Sequence, residues 1–205
     1  MKTKNNDRIK IWELSLLFAL CISLCTGLWA HAQQQKLSSQ LVRLHIIAES
    51  DSDEDQALKL KVRDSVLELL TPALEEAEGV ADAQTIIEQR LDELREVAKK
   101  AMSEGGHIPK AEASLSVESY PTRMYDGFAL PAGDYLSLRI ILGEGKGHNW
   151  WCVVFPPLCM TAVEDSETFT GLSEDASELI VAEEGEYRLR FRVIELFELL
   201  RHTLT

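Results

Sequence analysis

LVRLHIIAESDSDEDQALKLKVRDSVLELL, residues 41–70, sets the fold class. Leu41 to Ala48 is rich in branched apolar side chains and reads as a strand. Ser50, Asp51, Ser52, Asp53, Glu54 and Asp55 come next. Side chains of this kind cap open backbone amides and complement the positive end of a helix dipole. Leu58, Val62, Val66, Leu69 and Leu70 then recur at helical spacing, and Pro72 marks the approximate end. A strand leading directly into a helix calls for a layered domain in which the two pack together.

Downstream the alternation continues. A second helix is expected from about Asp82 to Ser103, with Ile86, Ile87, Leu91, Leu94, Val97 and Met102 as its stripe and Gly105-Gly106 as its stop. Strands are expected at Ala113–Tyr120, Tyr135–Leu142 and Trp150–Phe155. Pro121, Asp126-Gly127 and Pro131-Ala132-Gly133 signal turns between the first two. The stretch 161–186 is acidic and reads as a solvated, variable segment. The last residues, 187–205, suit a helix packing on the domain through Val193, Ile194, Phe197 and Leu200. The order β-α-α-β-β-β-α gives an α+β fold: one domain over 41–160, with a small mixed β-sheet and helices on a face.

Upstream, Lys2, Lys4, Arg8 and Lys10 precede an apolar run from Leu14 to Ala30. The run ends in Ala30-His31-Ala32, followed by three glutamines. Positive flank, apolar centre and a small-residue exit describe a secretory signal peptide over 1–32, cut after Ala32. The competing reading is a retained anchor, for which the apolar core is short. Residues 33–40 read as a polar linker. Either way, the rest of the chain works beyond a membrane.

Charge narrows the partners. The 205 residues carry 21 basic and 34 acidic side chains, a net −13. Such a chain is repelled by nucleic acid and by anionic lipid. A protein partner fits better.

One stretch is dense in costly residues: GEGKGHNWWCVVFPPLC, Gly143 to Cys159. Three glycines bend the backbone. Trp150 and Trp151 come after them, and tryptophan is enriched where proteins meet. Neighbours in a strand point to opposite faces. One indole therefore fills the core while the other is exposed, or both serve a partner. Glu144, Lys146, His148 and Asn149 supply a polar rim. Cys152 and Cys159 are the cysteines beyond the leader, which holds Cys21 and Cys25. An isolated pair in an exported chain reads as a disulfide, with free thiols or a metal pair as alternatives. A loop this short gains about 2.5 kcal/mol from a bridge.

Familiar chemistry is incomplete. Asp51-x-Asp53-x-Asp55 opens like a calcium loop, but Gln56 stands where glycine is needed and Val62 where a bidentate glutamate is needed. Gly143-Glu144-Gly145-Lys146-Gly147 lacks the spacing and the Ser or Thr of a phosphate loop. Cys152 with His148 is a weak pairing for thiol catalysis. No G-x-S-x-G is present. No cofactor, metal or small-molecule substrate is called for. An exported hydrolase acting on the cell wall, with a site around Gly143–Trp151, is the alternative reading.

NWWCVVFPPLC at 149–159 resembles the hallmark of the stage II sporulation protein R family of endospore-forming bacteria. PTRMYDG at 121–127, PAGDY at 131–135 and LHIIAESDSDEDQALKLKVRD at 44–64 resemble it too, with Glu49 where asparagine is expected. The resemblance implies a signalling protein rather than an enzyme. It would be made in the forespore and secreted into the space between the two sporulation membranes. There it would activate a membrane-embedded aspartic protease of the mother cell, stage II sporulation protein GA, which processes the sigma-E precursor. On that expectation Glu144, Lys146, His148, Asn149, Trp150 and Trp151 contact the partner, and Cys152–Cys159 clamps the loop.

Overall fold

The computed structural model describes residues 2–125 and 129–157, with side chains from Lys10 onward. In chain order the elements are α1 (Lys2–Ser38), β1 (Val42–Ile47), α2 (Asp53–Leu74), α3 (Val80–Gln89), α4 (Leu91–Glu104), β2 (Ala111–Tyr120), β3 (Arg123–Met124), β4 (Ala129–Leu130), β5 (Gly133–Leu142) and β6 (Asn149–Phe155). The fold is α+β, as the alternation of strand and helix patterns requires. The acidic 161–186 segment and the C-terminal helix expected at 187–205 lie outside the described residues.

β1 sits inside a four-stranded sheet of order β2-β5-β1-β6. It runs parallel to β5, Val42 opposite Leu136 and Ile47 opposite Ile141. It runs antiparallel to β6, and β2 is antiparallel to β5. A parallel pair needs a long crossover, and α2, α3 and α4 lie within the connection from β1 to β5. β3 and β4 form a small separate hairpin within the turn-rich connection from β2 to β5.

The sheet order explains the glycine run. β5 and β6 flank β1, so their connection must step across the chain as it leaves β1. The Gly147 amide donates to Ala48 O at 2.9 Å and the Lys146 amide to Glu49 O at 3.1 Å. A Cβ on Gly147 would collide with the Ser50 carbonyl oxygen. Gly143 and Gly145 hold φ of 58° and 62°, a region open mainly to glycine. The stretch that sequence alone reads as a costly device for contact is thus also required by the topology.

α2 starts where the caps place it, with Ser52 Oγ accepting from the Asp55 amide at 3.2 Å. It runs past Pro72 to Leu74. The single helix expected over 82–103 is two. At Arg90 the backbone leaves helical geometry (φ −107°, ψ 5°), and its amide turns back to Ile87 and Glu88 carbonyls. Ile87 and Leu94, on either side of the break, both point into the core, each 0% exposed. That core packs Val42, Leu44 and Ile46 of β1 and Leu138, Ile140 and Leu142 of β5 against Leu58, Val62, Val66, Leu70 and Met102 of the helices. Each such side chain contributes about 1.5–3 kcal/mol of burial.

Residues 33–40 are not a linker. α1 runs unbroken through Ala30-His31-Ala32 to Ser38. Gln34 and Leu37 are 2% and 1% exposed. The cause is a hydrophobic gap on the second sheet face: Leu37 and Leu41 fill it with Tyr120, Leu130, Tyr135 and Val153. The Gln34 amide occupies the space that a Cβ on Gly133 would need. Upstream, the helix over Lys10–Ser38 contains an 18-residue window of mean hydropathy 1.9 and is long and apolar enough to cross a membrane. That is compatible with a signal peptide.

Candidate functional site

The alternation along β1 sends two chemistries to two faces. Val42, Leu44 and Ile46 face the helices, and Arg43 and His45 face away from them. Arg43 is 0% exposed, and a buried charge must find compensation. Its guanidinium lies 4.0 Å from the Tyr120 ring centroid, 5.0 Å from Tyr135 and 5.8 Å from Tyr125. It also donates a hydrogen bond to Tyr125 Oη. Cation–π contacts of this kind gain strength when desolvated. Tyr120 Oη and Ser137 Oγ share a hydrogen bond of 2.6 Å, and Tyr135 Oη donates to Pro131 O at 2.7 Å. Burial pushes all three tyrosine hydroxyls above their ordinary value, against the opposing pull of the Arg43 charge. They stay protonated across the physiological range.

A second layer sits over the first. His45 stacks on Trp151, ring centroids 3.9 Å apart and planes 13° from parallel. Tyr120 meets the same indole edge-on at 4.7 Å. Arg123 lies over that indole as well, 5.1 Å from its centroid. His45 Nδ1 pairs with Glu118 Oε2 at 3.2 Å, and Arg139 Nη1 donates to Glu118 Oε1 at 3.4 Å. The register assembles this row: His45 is opposite Trp151 on one side and Arg139 on the other.

The residues singled out from the sequence fall in three places. Glu144 and Lys146 lie exposed in the β5–β6 turn. Glu144 pairs with Lys110 at 2.6 Å. The Lys110 hydrogen bond holds the Glu144 carboxyl below the ordinary range, and Glu144 raises the ammonium in return. His148 leans on α2: its Nδ1 lies 2.5 Å from Asp51 Oδ1, and its amide donates to the same oxygen at 2.6 Å. Beneath it Lys59, 5% exposed, donates to His148 O at 3.0 Å. Burial lowers the Lys59 pKa. Asn149 opens β6 and is exposed.

The tryptophans divide. Trp150 packs on the helix-side core under Arg63, whose guanidinium lies 4.6 Å from the ring centroid. Trp151 packs on the opposite face. Each is half-buried. They form no shared projecting hairpin, because consecutive strand residues cannot face one way. Cys152 is buried on the helix side. It does not stand among the free thiols Cys21 and Cys25. Cys159 lies outside the described residues. Of the expected cleavage residues, Ala30 is buried and Ala32 exposed, both within α1. Among the described residues no group of three or more His, Cys, Asp or Glu is placed to hold a metal ion.

Sequence reasoning missed Arg43, His45, Glu118, Tyr120 and Arg139. The available signal was LVRLHIIA itself, in which a charge and an imidazole occupy alternate positions of an otherwise apolar strand. That pattern gives one face apolar and the other polar.

Against known proteins, the family model for stage II sporulation protein R matches residues 38–165. Among curated proteins, stage II sporulation protein R of Bacillus subtilis (strain 168) is 39% identical over 135 residues. The alignment spans 64% of this chain and 58% of that relative, less than two thirds of its length. No solved structure matches.

Proposed function

The chain belongs to the stage II sporulation protein R family, and from that premise we propose that it is an exported sporulation signal acting on a membrane-embedded protease. Its target is the mother-cell aspartic protease stage II sporulation protein GA, and its effect is processing of the sigma-E precursor. It acts in the space between the two sporulation membranes. The observation carrying this reading is the family match over 38–165, which takes in every strand of the sheet. The long apolar α1 supports export.

The role needs differential binding, since a ligand shifts a conformational equilibrium only by preferring one state. The chain binds the active arrangement of the protease more tightly than the inactive one. The 143–159 segment carries the contact. Glu144, Lys146, His148 and Asn149 lie along the turn into β6, and Trp150 and Trp151 fix β6 to both faces of the sheet. A Cys152–Cys159 bridge would hold the chain where it leaves β6.

Co-expression of the full chain with the protease and the sigma-E precursor in a non-sporulating host tests this. Cleavage should require both the chain and the protease. Equal cleavage without the chain, or none with a folded, exported chain present, would overturn the reading.

A further inference from the structure

Parallel strands occur almost only where both sheet faces are covered. The β1–β5 pair has helices on one face. On the other, α1 and residues around the β3–β4 hairpin cover the Arg43–Tyr135 end. The far end is half-open. Ile47 and Ile141 pair there and are half-buried, while Ser114 and Ser116 of β2 are exposed.

Two rows cross this open end. One runs Trp151, His45, Arg139, Ser114, and the next runs Asn149, Ile47, Ile141, Glu112. An aromatic and cationic row thus lies beside an apolar one. In a chain of net charge −13, Arg123 and His45 pack on the Trp151 indole, Arg139 follows His45 in the same row, and Arg43 lies beneath. Glu118 serves both His45 and Arg139, and Glu112 stands at the outer rim. Nε of Arg43, Arg123 and Arg139 and Nη1 of Arg43 are buried without a hydrogen-bond partner among the described residues, while the Arg139 side chain itself is 40% exposed.

We propose that this half-open sheet face is a docking surface, and that its occupant is an amphipathic acidic segment of a partner protein. The segment's carboxylates go to Arg123 and Arg139, and its apolar side chains lie on Trp151, Ile47 and Ile141. This rests on the signalling reading above and extends its contact from the 143–159 segment, which supplies Trp151, across the adjoining sheet face. Arginine and tryptophan are the side chains that most often anchor interfaces.

The test uses the full chain with the protease and precursor, a photo-crosslinking side chain at Ser114, and a second at Glu76 in the α2–α3 turn. Ser114 should crosslink to an acidic stretch of the protease. Arg139→Glu and Arg123→Glu should cut processing roughly ten-fold or more. Arg139→Lys should retain it, and Glu76→Lys should change nothing. Normal processing by folded Arg139→Glu and Arg123→Glu, or crosslinks from Glu76 alone, overturns the surface and leaves the signalling reading standing. A wild-type chain that promotes no processing overturns the signalling reading instead. The surface then stands or falls on a separate arm. Full chain in detergent micelles should bind an immobilised glutamate–leucine amphipathic peptide, lose it with Arg139→Glu, and ignore the lysine–leucine counterpart. Binding to neither peptide, or to the lysine peptide alone, overturns it.

Discussion

The two faces of one strand make the sharpest contrast in this molecule. Leu44 and Ile46 of β1 pack within an apolar cluster and need little beyond volume. Arg43 and His45, one residue away, need a ring of tyrosines, a carboxylate and an indole drawn from β2, β5, β6 and the loop after β3. The first face can be built from any well-packed set of apolar side chains. The second is specified atom by atom. A protein that only had to fold would lose little by making both faces apolar, since replacing buried charges with apolar side chains is often neutral or stabilising. The difference teaches that the helix side holds the fold together while the aromatic side holds a particular surface in place.

The contrast breaks first on the helix side. Leu44→Ala removes a fully buried side chain from between the sheet and the helices. It should cost about 2–5 kcal/mol in urea unfolding. Next comes the crossing of β1. Gly147→Ala places a methyl against the Ser50 carbonyl, where neither backbone can yield easily. Overpacking of this kind costs about 1–3 kcal/mol. Gly79→Ala, with open space at its Cβ, should leave the melting temperature nearly unchanged.

Alkaline pH sharpens the contrast from the other side. The folded pKa values of Tyr120, Tyr125 and Tyr135 lie above their ordinary 10.0. Below pH 10 both folded and unfolded states keep these protons, and stability is unaffected. Above it the unfolded chain releases protons that the folded chain retains, so stability falls as pH rises. Each hydroxyl adds up to about 1.4 kcal/mol per pH unit to that slope. Tyrosinate absorbance should therefore rise together with unfolding, and Tyr120→Phe should flatten the fall.

A smaller effect of opposite sign belongs to Asp55. Its carboxyl is held below the ordinary 3.8, chiefly by the Ser50 hydroxyl, with Ser52 and His107 assisting. Its contribution is complete above that value and is lost as pH falls through the folded pKa. Asp55→Asn should remove that part of the acid limb. Smallest of all is the exposed Glu144–Lys110 pair, where Glu144→Gln should leave thermal melting unchanged.

Legibility tracks the range of the physics. β1 and the start of α2 are readable because alternation and capping are local: Ser52 caps as its spacing requires. The opposed tryptophans are readable as one of two outcomes. The α3–α4 break is not, because nothing in the sequence near Arg90 differs from helix interior. Helical structure through 33–38 is hidden because Gln34 and Leu37 acquire their partners, Gly133 and Tyr135, only on folding. Glycines 143–147 read as a device for contact because the strand order that makes them necessary is invisible locally. The aromatic face is hidden for the same reason, since His45 and Glu118 stand 73 residues apart.

The most direct test of the division of labour is the ratio of sigma-E precursor processed by Arg139→Glu to that processed by Glu76→Lys, each normalised to folded, exported chain. A docking role for the aromatic face sets that ratio at roughly one tenth or less. A ratio near one would contradict it.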